Sequence, residues 1–267
     1  LMTNNGKMVN RGVEITLSGE IIRQKDFSWN ASLLYAFNRN KVKHISVQPS
    51  LWDSRISMPT SYPMVGKPLY GIYAYKWAGL NENGDPQVYD AENNVTSGPA
   101  RDYHALVYCG TTVPIHNASL TNVLRYKGLE FSAMLILDAG HKLRSSNIPS
   151  INMSNGRITS TAKGIVDRWT QPGDVTDVPR LLFSNDTENF NTHRTELYRY
   201  SDLFVYDASN IRLSNISLAY RVPAHWCKKI SLSGARLQFN VENVATFAFD
   251  SKANYDLGGK VKPNYVW

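Results

Sequence analysis

The sequence predicts an all-β chain built from long antiparallel hairpins, and three observations support this fold class. Three pairs of segments alternate apolar and polar residues in phase, which is the pattern of a strand with two unlike faces. Short polar connections lie within the pairs, whereas residues 38–119 and 140–210 form much longer segments between them. No apolar run reaches the roughly 18 residues that a membrane-spanning helix requires.

The first hairpin is predicted at residues 12–22 and 27–37. Its first segment carries apolar residues on one side and polar residues on the other, namely Val13, Ile15, Leu17 and Ile21 against Glu14, Thr16, Ser18 and Glu20. Its second segment carries Phe27, Trp29, Ala31, Leu33, Tyr35 and Phe37 on odd positions. Because only the polar stretch RQKD separates the two segments, we expect them to pair as antiparallel neighbours.

Two further hairpins repeat this pattern. In the second, Leu120, Asn122, Leu124 and Tyr126 lead through a Tyr-Lys-Gly turn into Leu129, Phe131, Ala133, Leu135 and Leu137, opposed by Glu130, Ser132 and Asp138. In the third, Ile216, Leu218, Tyr220 and Val222 lead through PAHWCKKISLSG into Ala235, Leu237, Phe239 and Val241, opposed by Arg236, Gln238, Asn240 and Glu242. All three hairpins therefore carry charged residues on their polar faces.

The long segments between the hairpins are rich in Pro, Gly, Asn and Asp. Two stretches in them have strand composition, GIYAYKW around Tyr73 and Tyr75, and ELYRYSDLFVYDASNIRL at 196–213. Connections beyond about 15 residues are uncommon in compact soluble domains. A transmembrane β-barrel, in contrast, has short turns on one rim and long loops on the other, and its spans need about 9 to 11 residues. The pattern alone leaves two folds open, this barrel and a soluble β-sandwich or lipocalin-like barrel.

Charge and cysteine usage indicate little about function. The net charge of +7 comes from 29 Lys and Arg residues distributed along the chain without a basic run, so nucleic-acid binding is not expected. Cys109 and Cys227 have neither metal-ligand nor redox-pair spacing. We interpret them as buried thiols, although their spacing does not exclude a disulfide.

Six motifs occur in one order along nearly the whole chain. NNGKMVNRGVEITLSGEI carries Asn4 or Asn5, Gly6, Asn10, Gly12 and Glu14. VGKPLYGIYAYKWAGLNENGDP carries Val65, Gly66, Pro68, Tyr73, Tyr75, Gly79, Leu80, Gly84 and Pro86. GTTVPIHNASLTNVLRYKGLEFSAMLILDAGHKLR carries Gly110, Pro114, Asn122, Tyr126, Lys127, Gly128, Gly140, His141 and Lys142. DRWTQPGDVTDVPR, SDLFVYDASNIRLSNISLAYRVP and ARLQFNVENVATF continue the series. Together these motifs resemble the SusC/RagA class of TonB-dependent outer-membrane transporters, and the first is similar to a barrel hairpin of that class.

The resemblance implies an antiparallel transmembrane β-barrel segment with short periplasmic turns and long extracellular loops. Residues 1–267 would be the C-terminal portion of such a barrel, with the plug and N-terminal domains absent from this chain. The chain stops at KPNYVW, where the family has a final strand. The implied function is import of oligosaccharides or oligopeptides across the outer membrane. The implied partners are a SusD-like lipoprotein, the TonB complex acting through the missing plug, and outer-membrane lipid.

The sequence contains no recognisable catalytic, cofactor or metal motif. There is no His-Glu-x-x-His, Gly-x-Ser-x-Gly or phosphate loop, and the six histidines occur singly. Asn81, Glu82, Asn83 and Asp85 offer oxygen ligands for calcium but lack the full loop pattern, so we favour a turn. We expect no enzyme activity and no cofactor. The alternative function is that of a secreted soluble β-sandwich module that binds glycans. A glycoside hydrolase is the weakest alternative, and it stays open because a carboxylate pair needs no proximity in sequence.

Candidate binding residues fall into two groups. The loop aromatics Trp52, Tyr62 and Trp169 are weak candidates for stacking on a substrate, since amphipathic rings also anchor loops. The polar residues of the hairpins are expected to line the lumen, because exposing a charge to lipid near the midplane is costly. These are Glu14, Thr16, Glu20, Glu130, Arg236 and Glu242.

Overall fold

The computed structural model describes residues 6–47, 54–98, 102–154, 157–158, 163–183, 192–253, 256–257 and 264–266. Its strands in chain order are β1 (Gly6–Arg23), β2 (Phe27–Ile45), β3 (Gly71–Tyr75), β4 (Trp77–Leu80), β5 (Pro86–Tyr89), β6 (Val95–Thr96), β7 (Leu106–Thr111), β8 (His116–Tyr126), β9 (Leu129–Ala139), β10 (Lys142–Arg144), β11 (Asn152–Ser154), β12 (Arg157–Ile158), β13 (Leu182–Phe183), β14 (Val205–Asp207), β15 (Asn210–Arg221), β16 (Arg236–Ala248) and β17 (Asn264–Val266).

In the part of the chain that the structure describes, the helices are short. The α-helices are α1 (Ser54–Ser57), α2 (Thr192–Arg199) and α3 (Ala224–Lys229), and 3-10 turns occur at Tyr103–Ala105, Lys163–Asp167, Asp202–Phe204 and Ser251–Ala253. Among the described residues, none of the helices has the length and apolar character needed to cross a lipid bilayer.

The chain divides into two units. The sheet unit comprises residues 10–39, 113–141 and 207–267, and the loop unit comprises residues 1–9, 40–112 and 142–206.

The sheet unit is built on a seven-stranded sheet with the order β1-β2-β8-β9-β15-β16-β17. The three predicted hairpins are confirmed as the neighbouring pairs β1-β2, β8-β9 and β15-β16. The first is longer than predicted, since β1 and β2 have 18 and 19 residues. Lys127 and Gly128 alone connect β8 to β9, and Lys127 adopts a left-handed φ of 52° in that turn.

A bulge explains an irregular apolar pattern in β15. The strand carries Ile211 and Leu213 at odd positions but Ile216 and Leu218 at even positions. The pairing of β15 with both neighbours shifts between Leu213 and Asn215. An extra residue in a strand reverses the alternation beyond it. All four apolar residues therefore lie on one face of the sheet.

The loop unit is a folded region with its own small core. Strands β3 and β7 pair antiparallel, β4-β5-β6 and β12-β11-β13 form further sheets, and the core includes Tyr73, Tyr75, Val88, Leu106 and Leu197. A second cluster joins Ile151, Tyr198 and Phe204. The predicted strand at GIYAYKW is confirmed by β3, although β3 is buried along its whole length instead of on alternate residues.

The strand expected at residues 196–213 is correct only in its second half. Residues 196–199 belong to helix α2, and the extended structure begins with β14 at Val205. Within α2, Arg194, Leu197 and Tyr198 are buried, which is the i, i+3, i+4 spacing of one helix face. Burial of that face against the small core outweighs the strand composition of the segment.

Candidate functional site

The six predicted lumen-facing residues share one face of the sheet. The hydroxyl oxygens of Ser18 and Ser32 lie 2.7 Å apart, so these side chains point to the same side. Glu14, Thr16 and Glu20 share the face of Ser18 through the two-residue period of the strand. The register extends this face across the sheet. Ser32 lies opposite Thr121, Thr121 opposite Met134, Met134 opposite Asn215, and Asn215 opposite Glu242. We call this surface the polar face.

Glu130 and Arg236 lie on the polar face and contact each other. The Glu130 carboxylate accepts a hydrogen bond from Arg125 Nε at 2.8 Å and another from Arg236 Nη2 at 3.1 Å. Arg125 is the partner of Glu130 in the register, whereas Arg236 reaches it across β15. Ala219, directly opposite Glu130, is small enough to leave room for this contact.

The opposite surface, the apolar face, carries rows of apolar side chains across the strands. One row follows the register through Leu33, Leu120, Leu135, Leu213 and Ala245, and another through Trp29, Leu124, Phe131, Leu218 and Phe239. Leu135 and Leu218 lie on interior strands and are still 38% and 44% exposed. A soluble sandwich would cover such residues with a second sheet. Among the described residues, no second sheet covers Leu135 and Leu218. The structure therefore does not support the soluble β-sandwich.

One polar residue on the apolar face has its hydrogen bond satisfied locally. Asn122 lies between Leu120 and Leu124 on β8, and its side-chain oxygen accepts a hydrogen bond from Trp29 Nε1 at 3.0 Å. Near the opposite end of the same face, the hydroxyl of Tyr35 lies 2.8 Å from His116 Nδ1. Aromatic and hydrogen-bonding groups thus occur toward both ends of the strands.

The loop unit contains a carboxylate that accepts hydrogen bonds from two arginines. Asp85 accepts hydrogen bonds from Arg180 Nε and Nη2 at 3.1 and 2.8 Å and from Arg194 Nε at 3.0 Å. Arg194 is only 3% exposed and also donates to the backbone oxygens of Arg180 and Ile151. Burial lowers the pKa of the Arg194 guanidinium, while the charge of Asp85 opposes that shift. The cluster joins segments that are distant in sequence, and sequence reasoning did not identify it.

The predicted calcium-type segment is a turn. The side-chain oxygen of Asn81 accepts hydrogen bonds from the backbone nitrogens of Asn83 at 3.0 Å and Asp85 at 2.9 Å, which is the local bonding of an Asx turn. The carboxylate of Asp85 is engaged by the two arginines. Among the described residues, no group of three or more His, Cys, Asp or Glu side chains is arranged to hold a metal ion.

The three loop aromatics have different surroundings. Trp169 packs on Gly84 so closely that a Cβ at that glycine would collide with the indole ring. Tyr62 lines a cavity of about 420 Å³ together with Val42, His44, Pro63 and Leu69. Trp52 lies outside the described residues. Trp169 is thus placed as a packing residue of the loop unit, and a role for any of the three in substrate binding stays a prediction.

Both cysteines are free thiols, Cys227 buried and Cys109 partly so. Burial raises the pKa of the Cys109 thiol to about 11, and the nearby Asp202 carboxylate adds to the increase, whereas Arg144 and Lys142 oppose it. A thiol with a raised pKa is a weak nucleophile near neutral pH. The surroundings of Cys109 therefore favour a packing role over a catalytic one.

A one-sided antiparallel sheet with alternating short and long connections is typical of a segment of a transmembrane β-barrel. Several known proteins are similar to the chain in sequence or in fold. The chain is 24% identical over 273 residues to TonB-dependent receptor P3 of Formosa agariphila, covering 94% of this chain and 26% of that protein. It is 25% identical over 252 residues to TonB-dependent receptor P26 of the same organism, covering 88% and 24%. No protein-family model matches the sequence.

Solved structures show the same fold. The structure of the RagAB peptide transporter aligns with a TM-score of 0.70 at 22% identity, over 92% of this chain and 26% of that one. The RagAB peptide importer in its open-open state aligns with a TM-score of 0.66 at 20% identity. The predicted resemblance to SusC/RagA-type TonB-dependent transporters and the predicted barrel-segment fold are confirmed. The chain spans about a quarter of the length of these relatives.

Proposed function

We propose that the protein to which this chain belongs imports a nutrient across the outer membrane in a TonB-dependent manner. The observation that carries the proposal is the two-faced sheet, with Glu14, Glu130 and Glu242 on one face and exposed Leu135 and Leu218 on the other. In a bilayer, the apolar face contacts lipid and the polar face lines the water-filled lumen. The chain forms part of the wall of a conduit and has no enzymatic role.

The spacing of aromatic side chains along the strands supports a membrane location. On β2, Phe27 and Phe37 lie ten positions apart, beside Tyr126 and His116 respectively. A rise of about 3.4 Å per residue and a strand tilt of about 40° convert ten positions into roughly 25 Å along the membrane normal. This distance equals the height of the apolar band between the aromatic girdles of outer-membrane barrels.

The relatives and the sequence motifs support proposals for the cargo and the partners. RagAB is a peptide transporter, which supports an oligopeptide as one proposed cargo. The resemblance of the sequence motifs supports an oligosaccharide as the other. A SusD-like surface lipoprotein would act with the barrel, and the TonB complex would act through a plug domain outside this chain. The long connections would face the cell exterior and the short turns the periplasm.

Site-directed labelling of the intact protein tests this orientation directly. An environment-sensitive probe at Ile15 should report lipid, and one at the adjacent Thr16 should report water. The reverse result would reject the proposed lumen. For transport, deletion of the gene should abolish growth on an oligopeptide or an oligosaccharide supplied as sole nutrient, and substitution of the TonB-contacting segment should have the same effect. Unchanged growth on every such source would reject the importer.

A further inference from the structure

The loop unit contains a cavity of about 370 Å³ whose lining is positively charged. We call it the arginine cavity. It is formed by residues 144–150 and 195–200, and its lining includes Arg144, Arg199, Ser145 and Thr195. Its volume is in the range of sites that bind small molecules. None of the described residues that line it is Asp or Glu, so the cavity contains two cations and no carboxylate.

Arg144 is held in place by backbone carbonyl groups. Its Nη1 donates hydrogen bonds to the backbone oxygens of Arg199 and Ser201 at 3.4 and 3.3 Å, and its Nη2 donates to that of Tyr73 at 2.7 Å. A guanidinium has five N–H groups, so these bonds leave donors available. Carbonyl groups carry no net charge, and these contacts therefore do not compensate the charge of Arg144.

Arg199 adds a second positive charge beside the first. The guanidinium carbons of Arg144 and Arg199 lie over the ring of Tyr200, at 5.5 and 5.8 Å from its centroid. Burial lowers the pKa of the Arg144 guanidinium, while Cys109 and Tyr200 oppose that shift and the charge of Arg199 adds to it. Among the described residues, neither arginine forms an ion pair with a carboxylate. An anion in contact with both guanidinium groups would relieve their repulsion.

Two hydroxyl groups of the cavity also have protons to donate. The Oγ of Ser145 accepts a hydrogen bond from the backbone nitrogen of Asn147 at 3.1 Å. The Oγ1 of Thr195 accepts one from Asn152 Nδ2 at 2.8 Å. A hydroxyl that accepts a hydrogen bond keeps its own proton for a second one. The cavity therefore combines two guanidinium groups with hydroxyl donors, and this combination suits an anion.

We propose that the arginine cavity binds the C-terminal carboxylate of a peptide cargo. A carboxylate matches the planar fork of a guanidinium and accepts hydrogen bonds at both of its oxygens. The C-terminus is the one carboxylate that every peptide carries, so recognition there does not depend on sequence. An acidic sugar suits the cavity less well, because the described lining offers no open aromatic ring for a sugar to stack on. Tyr198 is 1% exposed, and the two arginines lie over the Tyr200 ring.

Calorimetric titration of the intact protein in detergent tests this site with a matched pair of peptides. The pair is N-acetyl-trialanine with a free C-terminus and the same peptide as its C-terminal amide. The free acid should bind about tenfold more tightly or better, since it alone forms charge-assisted hydrogen bonds with the guanidinium groups. Galacturonic acid carries its carboxylate on a sugar and should bind more weakly than the acid peptide. Equal binding of the two peptides, stronger binding of galacturonic acid, or no binding would overturn the proposal.

A charge-matched pair of variants links the preference to the cavity. Arg199→Gln removes an exposed cation and should lower the affinity for the free acid about tenfold while leaving that for the amide unchanged. Lys76→Gln removes another exposed cation, which lies 4.5 Å from the centroid of the Tyr89 ring and outside the cavity. This control should leave both affinities unchanged. Equal losses in the two variants would also overturn the proposal.

The site rests on the proposed import of an oligopeptide, but the two can fail separately. If the free acid binds as expected and deletion of the gene leaves growth on peptides unchanged, import is rejected and the binding site stands. If deletion abolishes that growth and the acid and the amide bind equally, the binding site is rejected and import stands.

Discussion

Arg194 of helix α2 donates a hydrogen bond from its Nε to Asp85 Oδ1 at 3.0 Å, across 109 positions of sequence. Arg180 binds the same carboxylate from a third segment. In this cluster Arg194 is buried, Asp85 and Arg180 are partly exposed, and the three residues join separate segments of the loop unit. Removing one member of a buried ion pair costs more than the pair contributes, because an uncompensated charge is left behind.

Asp85→Asn should therefore loosen the loop unit. The substitution keeps the size of the side chain but leaves the nearly buried Arg194 without its counter-charge. We expect a local loss of about 2 to 3 kcal/mol, in the range of charge-assisted hydrogen bonds. Hydrogen exchange of the amides of residues 80–90 and 192–199 measures this loss. Glu92→Gln, the same charge change in an exposed turn, should leave exchange unaltered, and equal effects of the two substitutions would contradict the assignment.

Gly84→Ala tests the packing of Trp169 against the turn at residues 81–85. Gly84 has a φ of 74°, and an added Cβ would collide with the indole ring. Gly173 is a matched control, because it also has a positive φ, 99°, but an added Cβ would meet no atom within 4 Å. We expect Gly173→Ala to cost about 1 kcal/mol from backbone strain alone. Gly84→Ala should cost clearly more and should increase quenching of Trp169 fluorescence by acrylamide. Similar costs at both positions would show that the ring moves freely.

The sequence predicted the sheet unit well because its signals are local. A two-residue period identifies each strand, and a short polar connection such as Lys127 and Gly128 identifies its partner. The same rule assigned all six polar residues to one face. The apolar positions of β15 change from odd to even between Leu213 and Ile216, and the alternation rule alone did not identify this change as a bulge.

Most of the structure of the loop unit could not be predicted from the sequence, and the reason is physical. Its organisation depends on contacts such as Asp85 with Arg180 and Arg194, which no periodicity indicates. The strand composition of residues 196–199 was misleading, because Leu197 and Tyr198 gain more by packing one helix face into the small core.

A pair of arginine substitutions on neighbouring residues tests the two faces of the sheet energetically. Leu135 lies on the apolar face, and Met134 lies on the polar face opposite Thr121 and Asn215. In lipid, Leu135→Arg should lower the free energy of unfolding by about 2 to 4 kcal/mol, as charges on the lipid face of such barrels do. Met134→Arg should change it by less than about 1 kcal/mol. Urea unfolding of the intact protein in lipid vesicles measures both, and a larger cost at Met134 would reverse the assignment of faces.

The hydrogen bond between Trp29 and Asn122 should contribute measurably to stability in lipid. Trp29→Phe removes the donor and leaves the amide oxygen of Asn122 unpaired on the apolar face. Asn122→Leu removes the acceptor and adds apolar surface. A double-mutant cycle should give a coupling of about 0.6 to 1.7 kcal/mol, the range found for polar pairs within membranes. A coupling near zero would mean that Asn122 finds another partner in the bilayer interface.

Alkylation of Cys109 should depend on pH in a way that reports its surroundings. A pKa of about 11, compared with an ordinary value near 9, lowers the thiolate fraction at pH 8 by about a hundredfold. In a Cys227→Ala background, iodoacetamide should react with Cys109 about a hundred times more slowly than with an exposed thiol. The rate should rise roughly tenfold per pH unit until about pH 11.

The raised pKa of Cys109 makes the stability of the loop unit sensitive to alkaline pH. Because the folded state holds the thiol proton more firmly than the unfolded chain does, the contribution of Cys109 to stability is complete below about pH 9. It is lost as the pH rises from there through about 11, which hydrogen exchange of β7 would detect. Asp202→Asn removes a negative charge that raises the pKa, while its side-chain oxygen still accepts the hydrogen bond from the backbone nitrogen of Trp77. This variant should be alkylated faster at pH 8, and a rate equal to that of the parent would show that Asp202 has no influence on the thiol.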